Sequence, residues 1–77
     1  MDKLISFLVG KIIGSKDFSL EESSNDERVD YLILAPKEAV GMIIGKGGKT
    51  IRTIRNLVKV RATLDKKAFS LSVEEKT

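Results

Sequence analysis

Apolar side chains recur at Leu4, Ile5, Leu8, Val9 and Ile12, the three- and four-residue spacing that lines one side of a helix. Gly14 stands where a helix ends in a left-handed residue, so an N-terminal helix is expected over residues 2–14. Its apolar face is broader than one small sheet should need. The period then changes. In "DFSLEE", Phe18 and Leu20 share one side of a strand with polar residues between them, and "ESSNDE" is polar turn material. "RVDYLILA" sets Val29, Tyr31, Ile33 and Ala35 on one face and Leu32 and Leu34 on the other, the density of an interior strand. Pro36 stops that strand and suits the first turn of a helix, with Glu38 favourable near its N-terminus. "PKEAVGMIIG" therefore reads as a short helix. Gly41 inside it costs about 1 kcal/mol relative to alanine, which implies that strand packing or a ligand needs a bare backbone there.

Three glycines within four residues (Gly45, Gly47, Gly48) separate that helix from a second one, expected from Lys49 to about Arg61. At 100° per residue, Ile51, Ile54, Leu57 and Val58 fall within one third of this helix's circumference, and Lys49, Arg52, Arg55 and Lys59 fall opposite. One face should pack and the other should present a basic ridge that starts at the glycines. "AFSLSVE" closes the pattern as an alternating strand with Phe69, Leu71 and Val73 inward. The order is α-β-β-α-α-β, an α+β arrangement without repeats, low-complexity segments or linkers.

At 77 residues the chain makes one domain, residues 1–77, with a thin core, because a domain this small buries only about 60% of its unfolded surface. Hydrophobic residues make up 42%, enough to fold. There is no cysteine, which removes disulfides and thiolate chemistry, and no histidine, which removes the commonest general base and metal ligand. No metal and no cofactor is expected. "LISFLVGKIIG" is interrupted by Lys11 and too short to span a bilayer, so the expectation is a cytoplasmic protein with no membrane partner.

The formal net charge is +3, but it is segregated. Residues 1–36 hold four basic and seven acidic side chains, whereas residues 37–67 hold nine basic and two acidic. Between Gly41 and Leu64 lie six basic side chains and no acidic one. That concentration beside the glycines points to a polyanion. A solvated lysine-rich helix face is the plain alternative.

Three phosphate-binding loop patterns compete for "GMIIGKGGKTIRTIR". The nucleotidase pattern G-x-x-x-x-G-K-[ST] fits Gly48-Lys49-Thr50 but needs glycine where Ile43 stands. It also needs a following sheet with a magnesium-binding Asp, and only 27 residues remain after Thr50, with Asp65 their one aspartate. The dinucleotide pattern G-x-G-x-x-G fails at Thr50 and lacks its parallel sheet. The third is a G-x-x-G loop between two helices, Gly45-Lys46-Gly47-Gly48. It exposes consecutive N–H groups at a helix N-terminus, lets a sugar-phosphate chain approach closely, and adds the Lys46 charge.

Here the chain resembles a known family. "VGMIIGKGGKTIRTIRNLV", Val40 to Val58, looks like the signature of the K-homology (KH) domain, and the element order matches its bacterial type II form. Length and scant flanks are similar to those of the small stand-alone bacterial KH proteins (KhpA-like). The resemblance implies a single type II KH domain. Its core motif would span residues 36–75 after the N-terminal helix, with a three-stranded sheet and helices packed on one face. It further implies binding of single-stranded RNA, or single-stranded DNA, by a loop that clamps about four nucleotides. Such a protein would be an RNA chaperone or post-transcriptional regulator. Carried over residue by residue, Gly45, Lys46, Gly47 and Gly48 would be the clamp. Gly41 and Ile44 would line the groove, with Ile43 in the core, and Lys49 and Arg52 would take flanking phosphates. Lys66 and Lys67 correspond to the family's variable loop.

Arg55, Lys59 and Arg61 share the ridge, and the sequence leaves them between phosphate contact and a solvated face. The four aromatics, Phe7, Phe18, Tyr31 and Phe69, all stand at apolar-periodic positions and are expected in the core, which argues against base stacking on exposed rings. Glu21–Glu22 and Glu74–Glu75 read as solubilising charge at strand ends, and no enzyme activity is expected. The alternative function is an assembly subunit, a homodimer or a heterodimer with another KH-domain protein. It would use the broad face of the first helix or the sheet edge, with RNA binding secondary.

Overall fold

A computed structural model describes residues 2–76. Its elements are α1 (Asp2–Ile13), β1 (Ser19–Ser24), β2 (Arg28–Ala35), α2 (Lys37–Ile44), a short 3-10 turn (Lys46–Gly48), α3 (Lys49–Leu64) and β3 (Ala68–Glu75). The sheet order is β1-β2-β3, which makes β2 the central strand that its two-sided apolar pattern requires. β1 and β2 form an antiparallel hairpin with Glu22 opposite Tyr31, while β2 and β3 run parallel with Tyr31 opposite Leu71. The hairpin turns on Asn25, whose side-chain oxygen accepts the Glu27 and Arg28 amides at 2.8 and 2.9 Å. A parallel pair cannot be joined by a tight turn, so α2, the glycine turn and α3 together form the crossover from β2 to β3.

All three helices serve one face of the sheet. Val29, Tyr31, Ile33 and Ala35 of β2 are buried there with Ile5 and Val9 of α1, Ile43 of α2, Ile51, Ile54 and Val58 of α3, and Leu71 of β3. Burial, aided by the neighbouring Glu22 carboxylate, pushes the Tyr31 phenol up to about 12. The other face is uncovered, and Leu32 and Leu34 are half-buried on it. Beside them the Arg28 guanidinium, and after it the Ser70 hydroxyl, hold the Asp30 carboxyl below the usual carboxylate range.

The structure departs from the pattern reading in five places. Helix α3 runs to Leu64 rather than stopping near Arg61. The sequence Arg61-Ala62-Thr63-Leu64 carries no breaker, and the helix ends only as Lys66 turns left-handed (φ 58°). Strand β1 starts after Phe18 and continues through Ser24, inside the stretch read as turn. Leu57 is not on the packing face: it is 50% exposed, while Ala62 joins Ile51, Ile54 and Val58 beneath the helix. Phe7 is 61% exposed instead of being in the core, and the Lys11 ammonium sits 5.6 Å from its ring centroid. Finally, most of the broad face of α1 is used in packing, although Leu4 stays 37% exposed. Ile5 and Val9 are buried, and Leu8, Ile12 and Ile13 pack against the same cluster.

Candidate nucleic-acid interface

Ile43 anchors the site, for its full burial fixes the last turn of α2 against the core. One residue later the chain must leave the helix and start α3 almost at once, and the glycines make this possible. Gly45 closes α2 by donating its N–H to the Gly41 carbonyl at 2.9 Å, with φ 75° and ψ 173°. That is a backbone region essentially restricted to glycine. A Cβ on Gly45 would also fall inside the Thr50 side chain and against the Thr50 backbone nitrogen. Gly47 (φ 63°, ψ 20°) and Gly48 (φ 77°, ψ 15°) follow as two successive left-handed residues.

This backbone sorts the amides of the turn. The Gly48 N–H donates to the Gly45 carbonyl at 3.1 Å, and the Lys49 N–H donates to the Lys46 carbonyl. No peptide bond among the described residues is cis, and a trans peptide points its N–H opposite its carbonyl. With the Gly45 and Lys46 carbonyls turned inward, the Lys46 and Gly47 N–H groups point outward. Neither has a hydrogen-bond partner among the described residues. The space beside the Gly47 Cα is open, and the Lys46 side chain is exposed. The turn thus offers two aligned amides, a mobile ammonium and the N-terminus of α3 to an anion.

The remaining expected site residues divide. Gly41 and Ile44 lie three residues apart on α2, next to the turn. Nothing of the chain lies within 4 Å of where a Gly41 Cβ would stand, so strand packing does not explain the glycine. Ile44 is half-buried against the core cluster. Lys49 opens α3 and is exposed. Arg52 reaches back to the turn, its Nη2 donating to the Gly47 carbonyl at 2.9 Å and its Nε to the Gly48 carbonyl at 3.4 Å. Arg55 donates to the Leu71 carbonyl of β3 at 3.2 Å. Lys59 and Arg61 are exposed further along α3. Lys66 and Lys67 lie beyond the far end of this 16-residue helix, about 24 Å from the turn at 1.5 Å per residue. None of the basic residues from Lys46 to Arg61 forms an ion pair among the described residues. Thr50 was not singled out from the sequence. Its role against Gly45 comes from the turn's close return on itself, which residue spacing does not reveal.

An α-β-β-α-α-β domain whose two crossover helices meet at a G-x-x-G turn is a KH domain. The family model described as the KhpA/KhpB KH domain matches residues 2–74, and the chain belongs to that family. It is similar to the RNA-binding protein KhpA of Chlamydia trachomatis serovar D, with 29% identity over 76 residues covering 97% of both chains. It has the same identity and coverage with the RNA-binding protein KhpA of Chlamydia muridarum. No described helix is long and apolar enough to cross a membrane.

Proposed function

We propose that this chain binds single-stranded RNA through the Gly45–Gly48 turn, contacting the sugar-phosphate backbone more than the bases. The observation that carries this reading is the pair of outward Lys46 and Gly47 amides on an open glycine turn, with no acidic residue between Gly41 and Leu64. Gly41 leaves room for the strand along α2, Ile44 supplies an apolar wall, and Lys49 adds charge at the flank. The relatives' names agree with it. The reading assigns holding rather than chemistry, with no cofactor, to a cytoplasmic RNA chaperone or post-transcriptional regulator. One domain touches few nucleotides, so several copies on one strand would raise the effective affinity. The test is fluorescence anisotropy of labelled single-stranded and duplex RNA across a salt series. Binding should favour the single strand, with log K falling against log salt by about 0.7 per phosphate engaged. Equal binding to duplex, or no dependence on salt, contradicts it.

A second reading, self-association, is favoured by a different observation. Leu57, Val60 and Leu64 follow one another at three- and four-residue spacing on α3 and are 50%, 63% and 73% exposed. Packed against the same stripe of a second copy, they would leave the RNA turn open, since Lys49 precedes Val60 by about 16 Å of helix. Val60→Glu should convert a dimer to monomer in sedimentation equilibrium without loss of fold. A wild-type protein that stays monomeric at high micromolar concentration removes the homodimer.

A further inference from the structure

The sequence casts Arg52 as a ligand for a flanking phosphate. We propose instead that Arg52 is a positioning residue, whose guanidinium holds the glycine turn in the shape that aims the Lys46 and Gly47 amides outward. The proposal rests on the RNA-binding reading for its purpose, but its geometry belongs to the free chain.

Glycine loses more conformational freedom on ordering than any other residue, and Gly47 and Gly48 are two in succession, both left-handed. The carbonyls of Gly47 and Gly48 both turn toward the first turn of α3, where Arg52 meets them with two nitrogens of one rigid fork. Each carbonyl held on the Arg52 side fixes the peptide that follows it. Those peptides carry the Gly48 and Lys49 N–H groups, which then close onto the Gly45 and Lys46 carbonyls. Those two carbonyls in turn direct the Lys46 and Gly47 amides outward. The chain of peptides thus leads from Arg52 on one side of the turn to the two free donors on the other. A guanidinium engaged this way gives two of its five N–H donors to carbonyl oxygens that point opposite to the outward amides. Lysine cannot replace it, because an ammonium at the end of a flexible stem is a single point of charge without a fork. Ordering the turn before RNA arrives spares the complex that entropy, which is how a brace raises affinity without touching the ligand.

The experiment compares the full chain with Arg52→Lys and Arg52→Met. Because Arg52 is exposed, both variants should fold, as circular dichroism will check. Backbone order parameters for residues 45–49 are measured by 15N relaxation without RNA, and RNA affinity is measured across salt. Both variants should show raised mobility at Gly47 and Gly48. Arg52→Lys should lose about tenfold in affinity, close to the loss in Arg52→Met, with the salt slope of Arg52→Lys unchanged. The proposal is overturned if the turn stays as ordered in both variants as in wild type. It is equally overturned if Arg52→Lys keeps wild-type affinity while Arg52→Met loses about 0.7 from the slope, the behaviour of a phosphate ligand. A wild-type chain that binds no RNA would sink the RNA-binding reading alone, and the relaxation data would still decide whether Arg52 orders the turn.

Discussion

Gly45→Ala should destabilise the protein by roughly 2–6 kcal/mol and abolish RNA binding under conditions where the fold survives. Two costs add. The backbone at Gly45 lies in a region that residues with a Cβ enter only at about 1–3 kcal/mol. The new methyl would also coincide with the Thr50 side chain and crowd the Thr50 nitrogen, so α3 must shift or the turn must open. Overpacking of that kind costs about 1–3 kcal/mol more. A domain of this size has a total stability of roughly 4–12 kcal/mol, so the loss is a large share of it. Urea denaturation reads the effect, and two neighbours serve as internal controls. Gly47→Ala meets open space and bears only the cost of its positive φ, about 1–2 kcal/mol. Gly41→Ala meets open space in a helix and should gain up to about 1 kcal/mol. If all three variants unfold alike, the close approach of Thr50 to Gly45 is not what demands the glycine. Thr50→Gly should recover the part of the Gly45→Ala loss that comes from the Thr50 side chain and leave the crowding of the Thr50 nitrogen and the backbone part, which a double-mutant cycle separates.

The residues that were legible in the sequence are those whose role follows from period alone. β2 announced itself because Val29, Tyr31, Ile33 and Ala35 alternate without interruption, and its centrality followed from Leu32 and Leu34 on the other side. The G-x-x-G turn was legible because glycine is the one residue whose absence of a side chain is itself the signal. Leu57 shows where period fails. It lies 100° from Val58, at the margin of the inner face, and the core turns toward Ala62 instead. With no element beyond that margin, an apolar residue there stays in water. Phe7 fails for a plainer reason. It stands two residues from both Ile5 and Val9, about 200° around α1 from each, so helical spacing puts it opposite the buried stripe and its aromatic character does not draw it into the core. Arg52 is not legible from spacing. On a helical projection it belongs to an open ridge of charge, but two left-handed glycines fold their carbonyls back over the start of α3 and claim it. Contacts made by a turn that doubles back depend on φ and ψ, which a residue list does not carry. The exposed stripe of Leu57, Val60 and Leu64 became visible only once Leu57 was known to face outward.

The second large effect is expected from Lys46→Asp with Gly47→Asp. Both positions tolerate the change structurally. Lys46 is exposed, and Gly47 has open space beside its Cα with a φ of 63°, a conformation that aspartate enters more readily than most residues. The chemistry is inverted all the same, since two carboxylates now flank the outward amides and the Lys46 ammonium is gone. A phosphate there would lose a charge-assisted partner and gain two like charges, a loss on the order of a hundredfold in affinity, or about 2.7 kcal/mol. The basic residues further along α3 would remain untouched. The most direct measurement is therefore fluorescence anisotropy of a labelled single-stranded RNA with the wild type and this double variant, after circular dichroism has shown that both are folded. Salt-sensitive binding by the wild type and its near-complete loss in the folded variant is the result expected if the glycine turn is the site. Equal binding by the two proteins would contradict it and move the contact to the exposed charges of Lys59 and Arg61.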